Sequence, residues 1–246
     1  MIAALLGLLL FADPTSSLIL LARGDQEFAA MHYVLAEAIY DSALTTSSDP
    51  ADAFWRLARV SVCMADVSPE EEKLDLYRKA EVFASRCIQE DSMKSEGRTW
   101  RAAALGNIAM FEGGRVKIDL CHLIRKELEL SIALNPSNDS AYSILGSFYM
   151  ALGNVSWIER RLAALFLASL PHGGYEESED AFKTAIALAP HVIRHHYELG
   201  DLYMQQDRYP EALKEFRQVM TLPELLASDR RTRQSAAGRI AELSGE

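Results

Sequence analysis

His196-Tyr-Glu-Leu199-Gly200-Asp-Leu-Tyr203, followed by Tyr209-Pro-Glu-Ala212-Leu-Lys-Glu-Phe216, is the stretch whose reading decides the fold. His196, Leu199 and Tyr203 recur on a helical period, and so do Ala212 and Phe216 after a short turn. Pro210 stands where a second helix would begin, a position that tolerates a residue with no amide hydrogen. Gly200 then has a packing reason: a residue with no side chain lets two helices approach at their crossing, Leu199 and Tyr203 fill the gap, and Ala212 and Phe216 answer from the second helix. The unit is a pair of helices, A then B. Ala141-Tyr142, Leu145, Gly146 and Tyr149 carry the same spacing further upstream.

A helix pair that recurs along a chain resembles the tetratricopeptide repeat, in which each pair buries its apolar face against the next. The predicted fold class is all-α, a tetratricopeptide-like helical repeat (α-α superhelix) with one inserted helix. Helix pairs are expected at about 50–90, 97–135, 140–190 and 193–222, with a capping helix at 228–243, all within one domain from 25 to 246. Gln26 to Ala43 reads as one amphipathic helix ahead of them. Asp49-Pro50 and Ser68-Pro69-Glu-Glu71 read as helix starts, the second as a capping box. The third pair is irregular. Setting Leu145 and Gly146, and then Phe182 and Pro190, on their repeat positions leaves about 20 residues over, from Val155 to Gly174. Ser156-Trp-Ile-Glu159 is a further capping box, so the insert reads as a helix. Trp157, Ile158, Arg161, Leu162, Leu165 and Phe166 on it are candidates for docking.

Composition agrees with a packed helical chain. Of 246 residues 49% are apolar, enough for a continuous core, while 13 glycines and 8 prolines fall mostly between the periodic stretches. The net charge of −10 argues against a nucleic-acid partner, which would call for a basic excess. Cys63, Cys87 and Cys121 lie in apolar-periodic segments and read as small core residues. Ile2 to Ala12 is an almost pure apolar run, interrupted by Asp13-Pro14 and resumed at Leu18 to Ala22. Residues 1–22 therefore read as an export signal, a membrane anchor or an ordinary packing helix. The matching locations are exported (periplasmic or secreted), membrane-anchored, or cytoplasmic.

Helical repeats bind ligands on the concave face lined by their A helices. Anchoring the register on Phe54, Trp100, Leu145 and Leu199 places Trp55, Arg59 and Val62 there, then Arg98, Arg101, Leu105 and Ile108. Ser143, Ser147 and Met150 follow, and then Arg194, Tyr197, Asp201 and Met204. Four arginines among apolar residues suit a protein or peptide partner of acidic character, or an anionic phospholipid or membrane surface. On that reading, changing Arg98 and Arg101 weakens an anionic partner. His191 and His195 share a helical face, but no acidic or thiol ligand accompanies them at short spacing, and no metal or cofactor is expected. Metalloprotease, nucleophile-elbow, dinucleotide and phosphate-loop motifs are all absent from the sequence, so a non-enzymatic scaffold is the primary reading and a lipid-binding or lipid-transfer module the alternative.

Asn154-Val-Ser-Trp157-Ile158-Glu159-Arg160-Arg161-Leu-Ala-Ala-Leu-Phe166, with Pro171, Tyr175-Glu-Glu and Phe182-Lys, resembles the regulator of microtubule dynamics family. The resemblance extends through Phe54-Trp55-Arg56-Leu57-Ala58-Arg59 and Ile124-Arg-Lys-Glu-Leu128, covering about residues 50–222. It implies a tetratricopeptide-like domain without a catalytic site. In animal members it also implies association with microtubules and, in one membrane-anchored member, phospholipid binding.

Overall fold

Gly200 and Gly146 explain how the helices close on one another. A Cβ built on Gly200 would lie 2.6 Å from the Phe216 ring, and one on Gly146 would lie 2.6 Å from the Phe182 ring. Phe182 and Phe216 are fully buried. Each contributes about 2–3 kcal/mol of apolar burial that a side chain on the glycine would displace.

The computed structural model describes residues 14–46, 49–112, 114–156 and 170–245. Eleven helices are found among the described residues: α1 (Pro14–Ala29), α2 (Tyr33–Thr46), α3 (Ala51–Val67), α4 (Glu70–Glu90), α5 (Ser95–Glu112), α6 (Gly114–Leu134), α7 (Asp139–Gly153), α8 (Tyr175–Leu188), α9 (Ile193–Gln205), α10 (Tyr209–Thr221) and α11 (Asp229–Ser244). They pack as consecutive pairs from α1 with α2 to α9 with α10, and α11 lies against both helices of the last pair. The core runs through the stack as successive apolar clusters, one around Tyr40 and Leu57, another around Phe182, Leu202 and Phe216. This is the all-α, tetratricopeptide-like architecture that the helix-pair spacing predicts.

Two local expectations are corrected. Gln26 to Ala43 is two helices, because Met31 takes a positive φ of 63° and turns the chain between α1 and α2. The apolar period runs through both, since both halves face the same cluster, and periodicity alone does not register the turn. Ser68 makes no capping box. Its backbone N–H closes the end of α3, donating to Met64 O at 3.0 Å, and Pro69 opens α4 without a side-chain cap. Residues 14–22 are the first turns of α1, with Ser17 and Leu21 buried. No helix among the described residues is long and apolar enough to cross a membrane.

The two ends of the stack are tied together. Leu226 and Ala227 pack against the cluster formed by α1, α2 and α3, and Ala227 N–H donates to the Tyr33 hydroxyl at 2.9 Å. Asp229 shapes this strap by accepting from the amides of Leu225 and Leu226 at 2.8 and 2.9 Å. Arg231 donates to the Asp66 carbonyl at 2.6 Å, while Arg194 reaches the Asp66 carboxylate at 2.7 Å. The last repeat and α11 are thereby connected to the end of α3.

A candidate cleft between the first three A helices

A cleft of about 250 Å³ opens between α3, α5 and the start of α7. Its walls are Trp55 and Arg59 from α3, Glu96 and Trp100 from α5, Asn135, Ser137 and Asn138 from the α6–α7 connection, and Asp139 and Ser140 from α7. Asn138 organises it. Its Oδ1 accepts from Ala141 N–H at 3.1 Å and caps α7, while its Nδ2 donates to Thr99 Oγ1 at 2.9 Å and Ser95 Oγ at 3.2 Å. Thr99 and Ser131 share a buried hydroxyl contact at 2.6 Å, so α5, α6 and α7 meet in one satisfied polar network.

The other wall is held by carboxylates. Trp55 donates its indole N–H to Asp52 at 3.2 Å, and Lys94 pairs with the same carboxylate at 2.9 Å. Arg59 is held from behind by Asp25 of α1 at 3.1 Å and by the Tyr40 hydroxyl at 3.2 Å, with its guanidinium 3.8 Å above the Phe28 ring. Arg56 joins the same Asp25 at 2.9 Å. Burial pulls the Asp25 carboxyl up, but the hydrogen bonds from Arg56 and Tyr40 outweigh it and hold it below the usual carboxylate range. Asp139 accepts from His195 Nε2 at 2.9 Å, which connects the cleft to α9 and places the proton of that bond on Nε2.

Of the residues placed on the concave face by sequence, Trp55 and Arg59 do line the cleft. Arg98 and Arg101 are corrected. Arg98 pairs with Glu127 of α6 at 2.9 Å, and Arg101 with Glu127 at 3.0 Å and Glu81 of α4 at 3.1 Å, so both reach into the layer of B helices. Leu105 and Ile108 are buried in the clusters on either side of α5. The cause is a register anchored on Trp100. Ala102, packed with Ile124 and Leu128 of α6, is the small residue at the crossing, and a displacement of two residues rotates a helix by roughly 200°. Glu96 and Trp100 therefore face the cleft in place of the two arginines. The usable signal was Ala102-Ala-Ala104, three small residues where the repeat requires one.

Met150 of α7 and Tyr197 and Met204 of α9 pack against the C-terminal cluster, beside Ile240 and Leu243 of α11. Asp201 lies 3.7 Å from Arg239 of α11, and Arg194 is the residue that spans to Asp66. Of the serines, Ser143 is buried and Ser147 donates to Glu198 at 3.4 Å. The insert residues Trp157, Ile158, Arg161, Leu162, Leu165 and Phe166 lie outside the described residues. A second cavity, about 420 Å³, sits between α8, α9 and α10 and is lined by Lys183, His196, Tyr203, Lys214 and Glu215 among others. His196 there is committed at both nitrogens, to Glu215 at 2.7 Å and to the Pro190 carbonyl at 3.0 Å. Among the described residues no group of three or more His, Cys, Asp or Glu side chains could hold a metal ion. Cys63, Cys87 and Cys121 are free thiols, and burial pushes the first two up to about 12.

Comparison with known proteins gives both a family and a fold. The family profile described as Regulator of microtubule dynamics protein 1-3 matches residues 20–244. Regulator of microtubule dynamics protein 1 of Bos taurus is 27% identical over 190 residues, covering 71% of this chain and 60% of that protein. The Mus musculus protein of the same name is 27% identical over 221 residues, covering 78% of this chain and 72% of its own length. This chain thus spans about three fifths of the bovine relative. Among solved structures, a thermophilic TPR protein of Thermus thermophilus superposes with a TM-score of 0.66 at 20% identity, covering 91% of this chain and 98% of that one. Yeast Tom70 gives 0.56 at 14% identity, covering 93% of this chain and 41% of its own. At these identities the structural likenesses speak for the fold.

Proposed function

Because the chain belongs to the regulator of microtubule dynamics family, we propose that it is a non-enzymatic helical-repeat scaffold that seats a segment of a protein partner in the cleft between α3, α5 and α7. The observation that carries this reading is the pair of half-buried tryptophans, Trp55 and Trp100, in the walls of one cleft. Tryptophan offers a large, rigid contact surface at little entropic cost and dominates many protein interfaces. Around the two rings stand hydroxyl, amide and carboxylate groups that can fix an extended segment by hydrogen bonds. The phospholipid alternative has less support, because polar and charged side chains make up most of the walls of this cleft, whereas acyl chains require apolar walls.

The names of the relatives make microtubules the first partner to try. The experiment is co-sedimentation with microtubules assembled from purified tubulin, comparing the native chain with Trp55→Ala/Trp100→Ala. We expect binding by the native chain and a loss of about tenfold or more in the variant, with the helical circular-dichroism signal retained. Binding that survives the double change would reject the cleft as the seat. No sedimentation of the native chain would reject the microtubule as partner, and selection from a random peptide library would then decide whether the cleft takes a peptide at all.

A further inference from the structure

We propose that the cleft takes a cationic side chain, a lysine or arginine projecting from a basic segment of the protein partner. This rests on the cleft reading above and adds the charge of what enters it. The sequence suggests the opposite sign, because four arginines fall on the face that the helical register assigns to the ligand. The structure gives each of them an internal carboxylate: Arg59 to Asp25, Arg98 and Arg101 to Glu127, and Arg194 to Asp66.

The charge left over in the cleft is negative. Glu96 lines it and has no hydrogen bond or ion pair among the described residues. Asp139 lines it too, with Oδ2 accepting from His195. Ser137 and Ser140 add hydroxyl oxygens that can accept, and an ammonium with three donors needs several such acceptors at once. Trp100 supplies an aromatic wall, and an indole face attracts a cation more strongly than any other side-chain ring. Arg59 is the one guanidinium in the walls; it shares Asp25 with Arg56, and Lys94 pairs with Asp52, so three cations face two carboxylates there and Glu96 with Asp139 brings the carboxylates to four. An entering carboxylate would meet the unpaired Glu96 across a small cleft, and like charges there repel. The net charge of −10 adds a long-range field that favours approach of basic partners.

The test is fluorescence anisotropy with labelled octalysine and octaglutamate, titrated with the full chain and two variants of equal charge change. Glu96→Gln removes the free carboxylate of the cleft, and Glu71→Gln removes an exposed one at the start of α4. We expect octalysine to bind and octaglutamate not to bind. Glu96→Gln should weaken octalysine by about fivefold or more, the loss of roughly one charge contact, while Glu71→Gln stays within about twofold. Equal losses in the two variants would reduce the binding to non-specific attraction and overturn the proposal, as would absence of octalysine binding or a preference for octaglutamate. These outcomes are separable from failure of the cleft itself. If the charge preference fails while Trp55→Ala/Trp100→Ala still loses microtubules, the cleft stands and only its ligand charge falls.

Discussion

Glu179 on α8 accepts from Arg208 at 2.6 Å, from Lys183 at 2.7 Å and from the Tyr203 hydroxyl at 3.0 Å. Burial pulls its carboxyl up, but those hydrogen bonds outweigh it and bring the value down to about 2 from an ordinary 4.5. In the unfolded chain the group takes up its proton first. Its contribution is therefore complete above about pH 4.5 and is lost as the pH falls toward 2. Glu179→Gln should cost about 1–2 kcal/mol at pH 7, a figure kept small because Lys183 and Arg208 are themselves solvated. Thermal unfolding should show the gap between native and variant closing near pH 3, and a constant gap would refute the assignment. Gly200 makes a steric case at the same scale. Gly200→Leu must displace Phe216, whose ring already lies 2.6 Å from the position of a Cβ, and should lower stability by about 1–3 kcal/mol or more. An unchanged melting temperature would show that the helix crossing is misplaced.

Among the elements, α5 connects the two layers. Its Arg98 and Arg101 converge on Glu127, whose side chain is only 5% exposed, so this carboxylate depends on both guanidinium groups for its compensation. Arg98→Ala/Arg101→Ala should therefore act as a stability lesion of about 2–4 kcal/mol, with octalysine and octaglutamate binding unaltered once the protein is folded. Chemical denaturation measures the first and anisotropy the second. Adding Glu127→Gln to the double variant should restore part of the loss, because the stranded charge is then gone. A double variant with native stability would return the arginines to the concave face.

For the whole molecule, the strap from Leu222 to Arg231 makes the stack more than a sum of neighbouring repeats. Repeats that contact only their neighbours open from the ends, whereas a tie between the last repeat and α2–α3 couples the two ends. Tyr33→Phe removes the acceptor for Ala227 N–H and should cost about 1 kcal/mol. Truncation after Thr221 should do more, removing α11 and the strap together. Native-state amide exchange should then quicken in α1 and α2, far along the chain from the cut, as well as in α9 and α10. Acceleration confined to α9 and α10 would show that the strap carries no coupling.

The helix-pair architecture was legible in the sequence because it is written in short-range features: Leu199, Gly200 and Tyr203 against Ala212 and Phe216, and the same spacing at Leu145, Gly146 and Tyr149. These are contacts within one unit, and a helical period with one small residue determines them. The place of Trp55 and Arg59 followed from the same logic, with Phe54 anchoring α3. Sequence could not decide the ligand-facing side of α5, since Ala102, Ala103 and Ala104 each satisfy the requirement for a small residue and only packing against Ile124 and Leu128 selects Ala102. Nor could it assign partners to the arginines. Asp25, Glu127 and Asp66 lie far from them along the chain, and which carboxylate meets which guanidinium depends on how the repeats wind. The strap is of the same kind: Ala227 finds Tyr33 only because the superhelix brings its ends together. Local sequence determined the repeat, and the winding of the repeats decided the charge of the cleft and the closure of the stack.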